Sequence, residues 1–168
     1  MKIEVKPSKI GGKGAHATAQ IPSGETITPF EGQELPNAEV KRLQDAGQLG
    51  RDDSLQIDVD FYIVPDGTHP SYFINHSCEP NAAVRNRNQI IAVRDILPDE
   101  EITYDYSMVV GNEVDWSMPC NCDVAQCRKI VANWESIPLE TLKKYIARGI
   151  MQNFMRKQIA ARYPIYNK

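Results

Sequence analysis

The chain has 168 residues, 42% of them hydrophobic and 24% charged, with a net charge of −3 and a mean hydropathy of −0.43. That length suits one core rather than several, and the balance excludes fibrous, disordered and low-complexity classes. The opening Met1-Lys2-Ile3-Glu4-Val5-Lys6 alternates charge with apolar residues and lacks the apolar heart of a secretory leader, and no later run is long enough to cross a bilayer. The expectation is an intracellular protein without a membrane role, cytoplasmic in a prokaryote or nuclear in a eukaryote.

The first thirty residues read as short strands broken at Gly11-Gly12-Lys13-Gly14 and at Pro22-Ser23-Gly24, with Thr26-Ile27-Thr28 leading to Phe30. A helix follows: Asn37 is its expected cap, Val40 and Leu43 share a face, and Gly47 stops it. From Leu55 to Ile63 apolar and polar residues alternate, which predicts one half-buried strand with an acidic outer face. Val84 and Ile90-Ile91-Ala92-Val93 flank Asn86-Arg87-Asn88 as a hairpin, and Pro98-Asp99 makes a turn. Ile102, Tyr104 and Tyr106 then occupy alternate positions of a further strand, so both phenols should leave one face. The spacing of Leu139, Leu142, Tyr145, Ile146, Ile150, Phe154 and Ile159 is helical, with Ser136 as expected cap and Gly149 as a break. Many short strands and few helices before residue 136 give a mostly β, α+β domain with a helical end.

Charge is unevenly distributed. Residues 1–127 hold ten Lys/Arg against twenty Asp/Glu, a net of −10, and residues 128–168 hold nine against two, a net of +7. An acidic body attracts basic peptides. The basic tail has three uses open to it: a solvated helix face, a contact with that body, or, as the minor alternative, a contact with nucleic acid.

Four cysteines stand at Cys78, Cys120, Cys122 and Cys127. The cluster Cys120-x-Cys122-x₄-Cys127 has metal-ligand spacing, and a tetrahedral zinc site needs a fourth soft ligand from afar. Cys78 is the remaining thiol; His16, His69 and His76 are the other residues able to supply it. The densest polar stretch is Tyr72-Phe73-Ile74-Asn75-His76-Ser77-Cys78-Glu79-Pro80-Asn81, where amide, imidazole, hydroxyl and thiol groups follow an apolar run. Taken alone, its asparagines suit turns and its histidine suits a core.

Together these blocks resemble the SET-domain protein lysine methyltransferases. Phe73 to Asn81 is similar to the family's Asn-His-Ser-Cys block, Asp99 to Tyr106 to its Glu-Glu-Ile-Thr-Tyr-Asp-Tyr block, and Cys120 to Lys129 to its post-SET zinc module. Gly12 to Gly14 and Pro22 to Glu25 are similar to the N-terminal block, and four motifs in one order are far more specific than any alone. The resemblance implies a SET fold of small, short-stranded sheets with a threaded C-terminal segment over residues 1–110. It further implies a post-SET zinc segment at 111–133, followed by a helical extension at 134–168.

The implied activity is transfer of methyl from S-adenosylmethionine to a lysine ε-amine in a basic protein segment such as a histone tail. In that reading Gly12, Lys13, Gly14, Asn75, His76, Tyr106 and Ile130 contact the cofactor. Tyr106 is the essential tyrosine, and Tyr104 governs the number of methyls added. Cys78, Cys120, Cys122 and Cys127 bind a structural Zn²⁺. Three positions depart from the pattern: Phe30 stands where many members carry a channel tyrosine, Tyr72 replaces an arginine, and Asp53 or Ser54 replaces a cofactor-stacking tyrosine. On residues alone two classes compete: a nucleic-acid or protein adaptor built on the zinc cluster and basic tail, with a vestigial pocket that the departures at Phe30 and Tyr72 allow, and a purely structural zinc protein, which leaves the Asn75-His76 and Tyr104-Tyr106 blocks unexplained.

Overall fold

The computed structural model describes residues 1–164. Among the described residues, five small sheets carry the body. Strands β1 (Ile3–Pro7) and β2 (Lys13–Ala17) form an antiparallel hairpin in which Val5 faces Ala15, and its turn closes through Gly12 at φ +49°. Strand β3 (Thr26–Pro29) is followed by β4 (Gln33–Pro36) and helix α1 (Asn37–Asp45). Gly47, at φ +66°, ends the helical segment in the left-handed region that suits glycine. The expected cap is off by one residue: Pro36 holds the N-cap position with no side-chain bond, and Asn37 is already helical.

The alternation from Leu55 to Ile63 is two strands, not one. β5 (Leu55–Asp58) and β6 (Phe61–Val64) form a hairpin around Val59 and Asp60, and the Asp58 carboxylate accepts the Val59 N–H at 2.8 Å. Such aspartate turns need no glycine or proline, which is why the alternation concealed the break. Nor is the polar face solvated throughout, because Gln56 is 2% exposed. The sheet order is β4-β6-β5.

A 3₁₀ turn (Pro70–Phe73) leads to the two-residue strand β7 (Asn75–His76). Strands β8 (Ala82–Arg85) and β9 (Gln89–Ala92) form the expected hairpin, with Asn86 at φ +58°, and β9 also pairs with β3. Strand β10 (Thr103–Tyr104) runs parallel to β7, Thr103 facing Asn75 and Tyr104 facing His76. Tyr106 is not on that strand; it opens a 3₁₀ turn (Tyr106–Val109) that Asp105 caps by accepting the Ser107 N–H at 3.1 Å. Strands β11 (Ser117–Pro119) and β12 (Ile130–Ala132) bracket the cysteine loop. Helices α2 (Leu139–Ala147) and α3 (Asn153–Arg162) complete the described chain. Gly149 separates them at φ +62°, while Ser136 lies in a preceding 3₁₀ turn (Trp134–Ser136), and Pro138 caps α2.

The apolar run Ile90-Ile91-Ala92 is continuous because β9 is covered on both faces. Ile90 and Ala92 enter the central core with Ile21, Ile74, Ile96 and Ile102, whereas Ile91 and Ala83 enter a second core with Trp134, Leu142, Phe154, Met155 and Ile159. The helical extension therefore packs on the body as its second layer, as the periodicity suggested. Gln152 ties it down, donating from Nε2 to the Gln56 carbonyl at 2.8 Å and the Arg87 carbonyl at 2.6 Å. Among the described residues no helix is long and apolar enough to cross a membrane.

Candidate active site

The parallel pair β7–β10 brings the distant polar blocks together. Asn75 donates from Nδ2 to the Lys13 carbonyl at 2.9 Å and to Glu101 Oε1 at 2.7 Å, joining the glycine loop to the Asn-His block. Glu101 also accepts from Ser8 Oγ at 2.8 Å. It accounts for Gly14, since a Cβ there would lie 2.3 Å from Glu101 Oε1. At Gly12 the reason is backbone conformation; nothing lies within 4 Å of a Cβ built there, so the loop presents open main chain to solvent. Lys13 holds its ammonium 5.6 Å from the Phe73 ring centroid.

Although Tyr106 leaves the strand, the two tyrosine rings remain neighbours, with centroids 4.9 Å apart. Tyr106 donates its hydroxyl proton to the Ile74 carbonyl at 2.9 Å, and its ring meets that of His76 edge-on at 5.4 Å. Burial raises the pKa of both Tyr104 and Tyr106, so the groups are neutral phenols.

Tyr104 and Tyr106 form one wall of a cavity of about 350 Å³ whose other walls include Val40 of α1, Tyr62 of β6, Val109, Glu113 and Trp116. Asp52, Glu113 and Asp115 also line it, against Lys41 and Arg51. Burial, then the Glu113 carboxylate, push Tyr62 up to about 12. One rim is closed by bonds from Trp116 Nε1 to Asp52 Oδ1 at 2.5 Å and from the Arg51 guanidinium to the Asp115 carbonyl at 2.8 Å. None of Gly12, Lys13, Gly14, Asn75 and His76 lines this cavity. Tyr106 touches both regions: its ring meets His76 on one side and the cavity on the other. Phe30 is core, 5% exposed, and is absent from the cavity wall. Two of the departures noted above pair with each other, the Tyr72 hydroxyl donating to Asp53 Oδ1 at 2.9 Å.

Three of the four thiols converge, with His76 rather than Cys127 as the fourth group. Ligand atoms of His76, Cys78, Cys120 and Cys122 all lie within 4.8 Å of one another, and Cys78 Sγ is 3.8 Å from Cys120 Sγ. A tetrahedral zinc ion with Zn–S of about 2.3 Å places its sulfurs about 3.8 Å apart, so the donor set fits. Cys127 stands just outside this tightest group, its Sγ 3.8 Å from the Cys120 carbonyl. The histidine is nevertheless a poor fourth ligand. Its Nδ1 accepts the Tyr106 N–H at 3.1 Å, which leaves the proton on Nε2, 3.3 Å from Cys78 Sγ, where it donates to sulfur. Burial pulls His76 down to about 4, so the ring is neutral. Burial pushes Cys78 and Cys120 up; burial acts the same way on Cys122, but hydrogen bonds from its neighbours outweigh it and hold that thiol at about 7.

Ile130, expected to cover the adenine, is 63% exposed on β12. Residues that sequence reasoning missed include Glu101, which organises the glycine loop, Glu113 and Trp116 on the cavity, and Asp105 and Arg128 beneath the tyrosines. Three of these five sit inside or beside recognised blocks, so adjacency was an available signal; Glu113 and Trp116 carried none.

A family model described as "SET domain" matches residues 12–107. The histone-lysine N-methyltransferase trithorax of Drosophila virilis is 32% identical over 140 residues, which are 76% of this chain and 4% of that protein. An H3 lysine-4 specific histone-lysine N-methyltransferase of Cryptococcus neoformans is 34% identical over 133 residues, covering 72% of this chain and 9% of that one. Among solved structures, KRYPTONITE in complex with mCHH DNA, an H3(1-15) peptide and SAH superposes with a TM-score of 0.62 at 28% identity, over 77% of this chain and 29% of that chain. The methyltransferase domain of human SETMAR gives 0.59 at 25% identity, over 78% and 58%. The chain thus belongs to the SET-domain family. It spans only a small part of the length of the curated relatives it matches.

Proposed function

We propose that this chain transfers a methyl group from S-adenosylmethionine to a lysine ε-amine in a basic, flexible protein segment, with a histone tail as the leading substrate class. The observation that carries this is Tyr106: one side chain joins the Gly12–Gly14, Asn75 and His76 cluster to the acidic cavity lined by Tyr104. A relative's complex with an H3 peptide and SAH supports both ligands. When bound, the donor supplies an electrophilic methyl on a cationic sulfur, and the chain's own work is alignment and electrostatics.

Open main chain at Gly12 and Lys13, with Asn75 and His76 beside it, receives the donor, and Ile130 covers its apolar rim. Tyr106 donates its hydroxyl hydrogen bond to the Ile74 carbonyl, so its oxygen lone pairs are free to face the methyl and the amine. Asp52, Glu113 and Asp115 draw a cationic peptide to the cavity. The apolar wall of Val40, Val109 and Val114 then favours the neutral amine, because desolvation penalises ammonium. Tyr104 narrows the space beside that amine and favours the first methylation. Cys78, Cys120, Cys122 and Cys127 would hold a structural Zn²⁺, which would brace the segment after Cys120.

The test is mass spectrometry of a histone H3 tail peptide incubated with S-adenosylmethionine and zinc-loaded protein. A mass increase of one methyl on lysine is expected, and loss of that product in Tyr106→Phe. An unmodified peptide together with unmodified core histones would overturn the proposal.

A further inference from the structure

Arg128, directly after Cys127, is partly buried, its side chain 11% exposed, and every arm of its guanidinium is used. One terminal nitrogen donates to Asp105 Oδ1 at 2.5 Å, the other to Ser107 Oγ at 3.2 Å, and Nε to Cys78 Sγ at 3.4 Å. The Arg128 backbone N–H reaches the same sulfur at 3.4 Å. With His76 Nε2 at 3.3 Å, Cys78 Sγ therefore collects three N–H donors. Asp105, 3% exposed, lies in sequence between Tyr104 and Tyr106. Its Oδ1 takes Arg128 and the Ser107 N–H that caps the Tyr106 turn, and its Oδ2 accepts the Tyr145 hydroxyl of α2 at 3.1 Å.

A planar fork divided between a carboxylate and a cysteine sulfur is a geometry that a lysine point charge cannot reproduce. An ordinary structural ion pair would need only the carboxylate. The second arm, directed at the one cysteine that comes from the Asn-His-Ser-Cys block, points to coupling between the two.

We infer that Arg128 is a positioning residue that locks the four-thiol module to the Tyr104–Asp105–Tyr106 segment, with Cys78 Sγ as the joint. Two N–H donors of Arg128 hold it on the Cys78 sulfur, and the guanidinium so held orients Asp105 and the turn that carries Tyr106. The tyrosine pair is thereby tied to the geometry of the thiol module. The inference rests on the methyltransferase reading for its kinetic consequence and on the thiol geometry for its spectroscopic one.

The test uses the full zinc-loaded chain and its cobalt(II)-substituted form, with Arg128→Met, Arg128→Lys and Tyr145→Phe. In Arg128→Met the sulfur-to-cobalt charge-transfer band moves to lower energy, zinc is lost to a chelator about tenfold faster, and kcat falls about tenfold while the peptide KM stays within about twofold. Arg128→Lys keeps the charge but stays close to the methionine variant in all three. Tyr145→Phe, which leaves the sulfur bonds intact, lowers kcat about threefold with an unchanged cobalt band. A wild-type cobalt band and kcat in Arg128→Lys, or in a folded Arg128→Met, would overturn the inference. Should Arg128→Met fail to fold, the lysine and phenylalanine variants decide it by the same two readouts. Wild-type protein that neither binds donor nor methylates would end the functional reading, while the band and zinc release would still decide the joint.

Discussion

The tyrosine-lined front and the helical back of this molecule are built on different principles. The front consists of two-residue strands, positive-φ turns and side-chain bonds from Asn75, Glu101 and Tyr106, so its geometry depends on a few polar contacts. The back is apolar bulk, with Trp134, Met155 and Ile159 at 1%, 0% and 1% exposure against β9. Substitutions in front should remove activity and spare stability; substitutions behind should do the reverse. Tyr145 is the exception, a back residue whose hydroxyl reaches the carboxylate between the tyrosines.

The largest expected effect tests the back. Trp134→Ala removes a fully buried indole and should cost about 3–5 kcal/mol in urea unfolding, with kcat per folded molecule unchanged. A loss under about 1 kcal/mol would mean that the helices do not share the body's core. Next comes the front: Tyr106→Phe should lower kcat about 100-fold while costing about 1 kcal/mol of stability, the share of one hydrogen bond. A comparable loss of stability and activity would erase the distinction between the regions.

Alkaline pH probes both at once through Tyr62, Tyr104, Tyr106 and Tyr145, whose folded pKa values all lie above the ordinary 10 because of burial. A raised folded pKa means that the native state keeps its proton when the unfolded chain has lost it. The stabilisation is complete below pH 10 and declines as pH climbs toward each folded value, by about 1.4 kcal/mol per pH unit per phenol. Denaturant midpoints should fall above pH 10, and tyrosinate absorbance should rise with unfolding rather than before it. The smallest effect belongs to the cavity rim: Glu113→Gln should raise the KM of a basic peptide about threefold with kcat intact, as expected for an exposed charge pair.

Motif chemistry made the front legible in sequence, since the Asn75-His76 block, the two tyrosines and three of the four cysteines come together, with Cys127 just outside the group. Three features escaped for physical reasons. The Asp58 turn mimics an uninterrupted strand because its break is made by a carboxylate rather than a glycine. Tyr106 alternates with Tyr104 in sequence, yet Asp105 captures the Ser107 N–H and coils the chain there. Helical periodicity revealed α2 and α3 but not their anchors, because Gln152 and Gln158 read as solvated polar residues. In the structure Gln152 bonds the Gln56 and Arg87 carbonyls, while Gln158 accepts from Trp134 Nε1 at 2.9 Å and donates to Glu113 at 2.6 Å. Long-range hydrogen bonds of this kind have no local period.

The most direct measurement is isothermal titration calorimetry of S-adenosylmethionine into the zinc-loaded chain. One donor bound per chain, with binding weakened when Asn75 is replaced by alanine, is the expected result. No heat from protein whose zinc content and fold are verified would contradict the account.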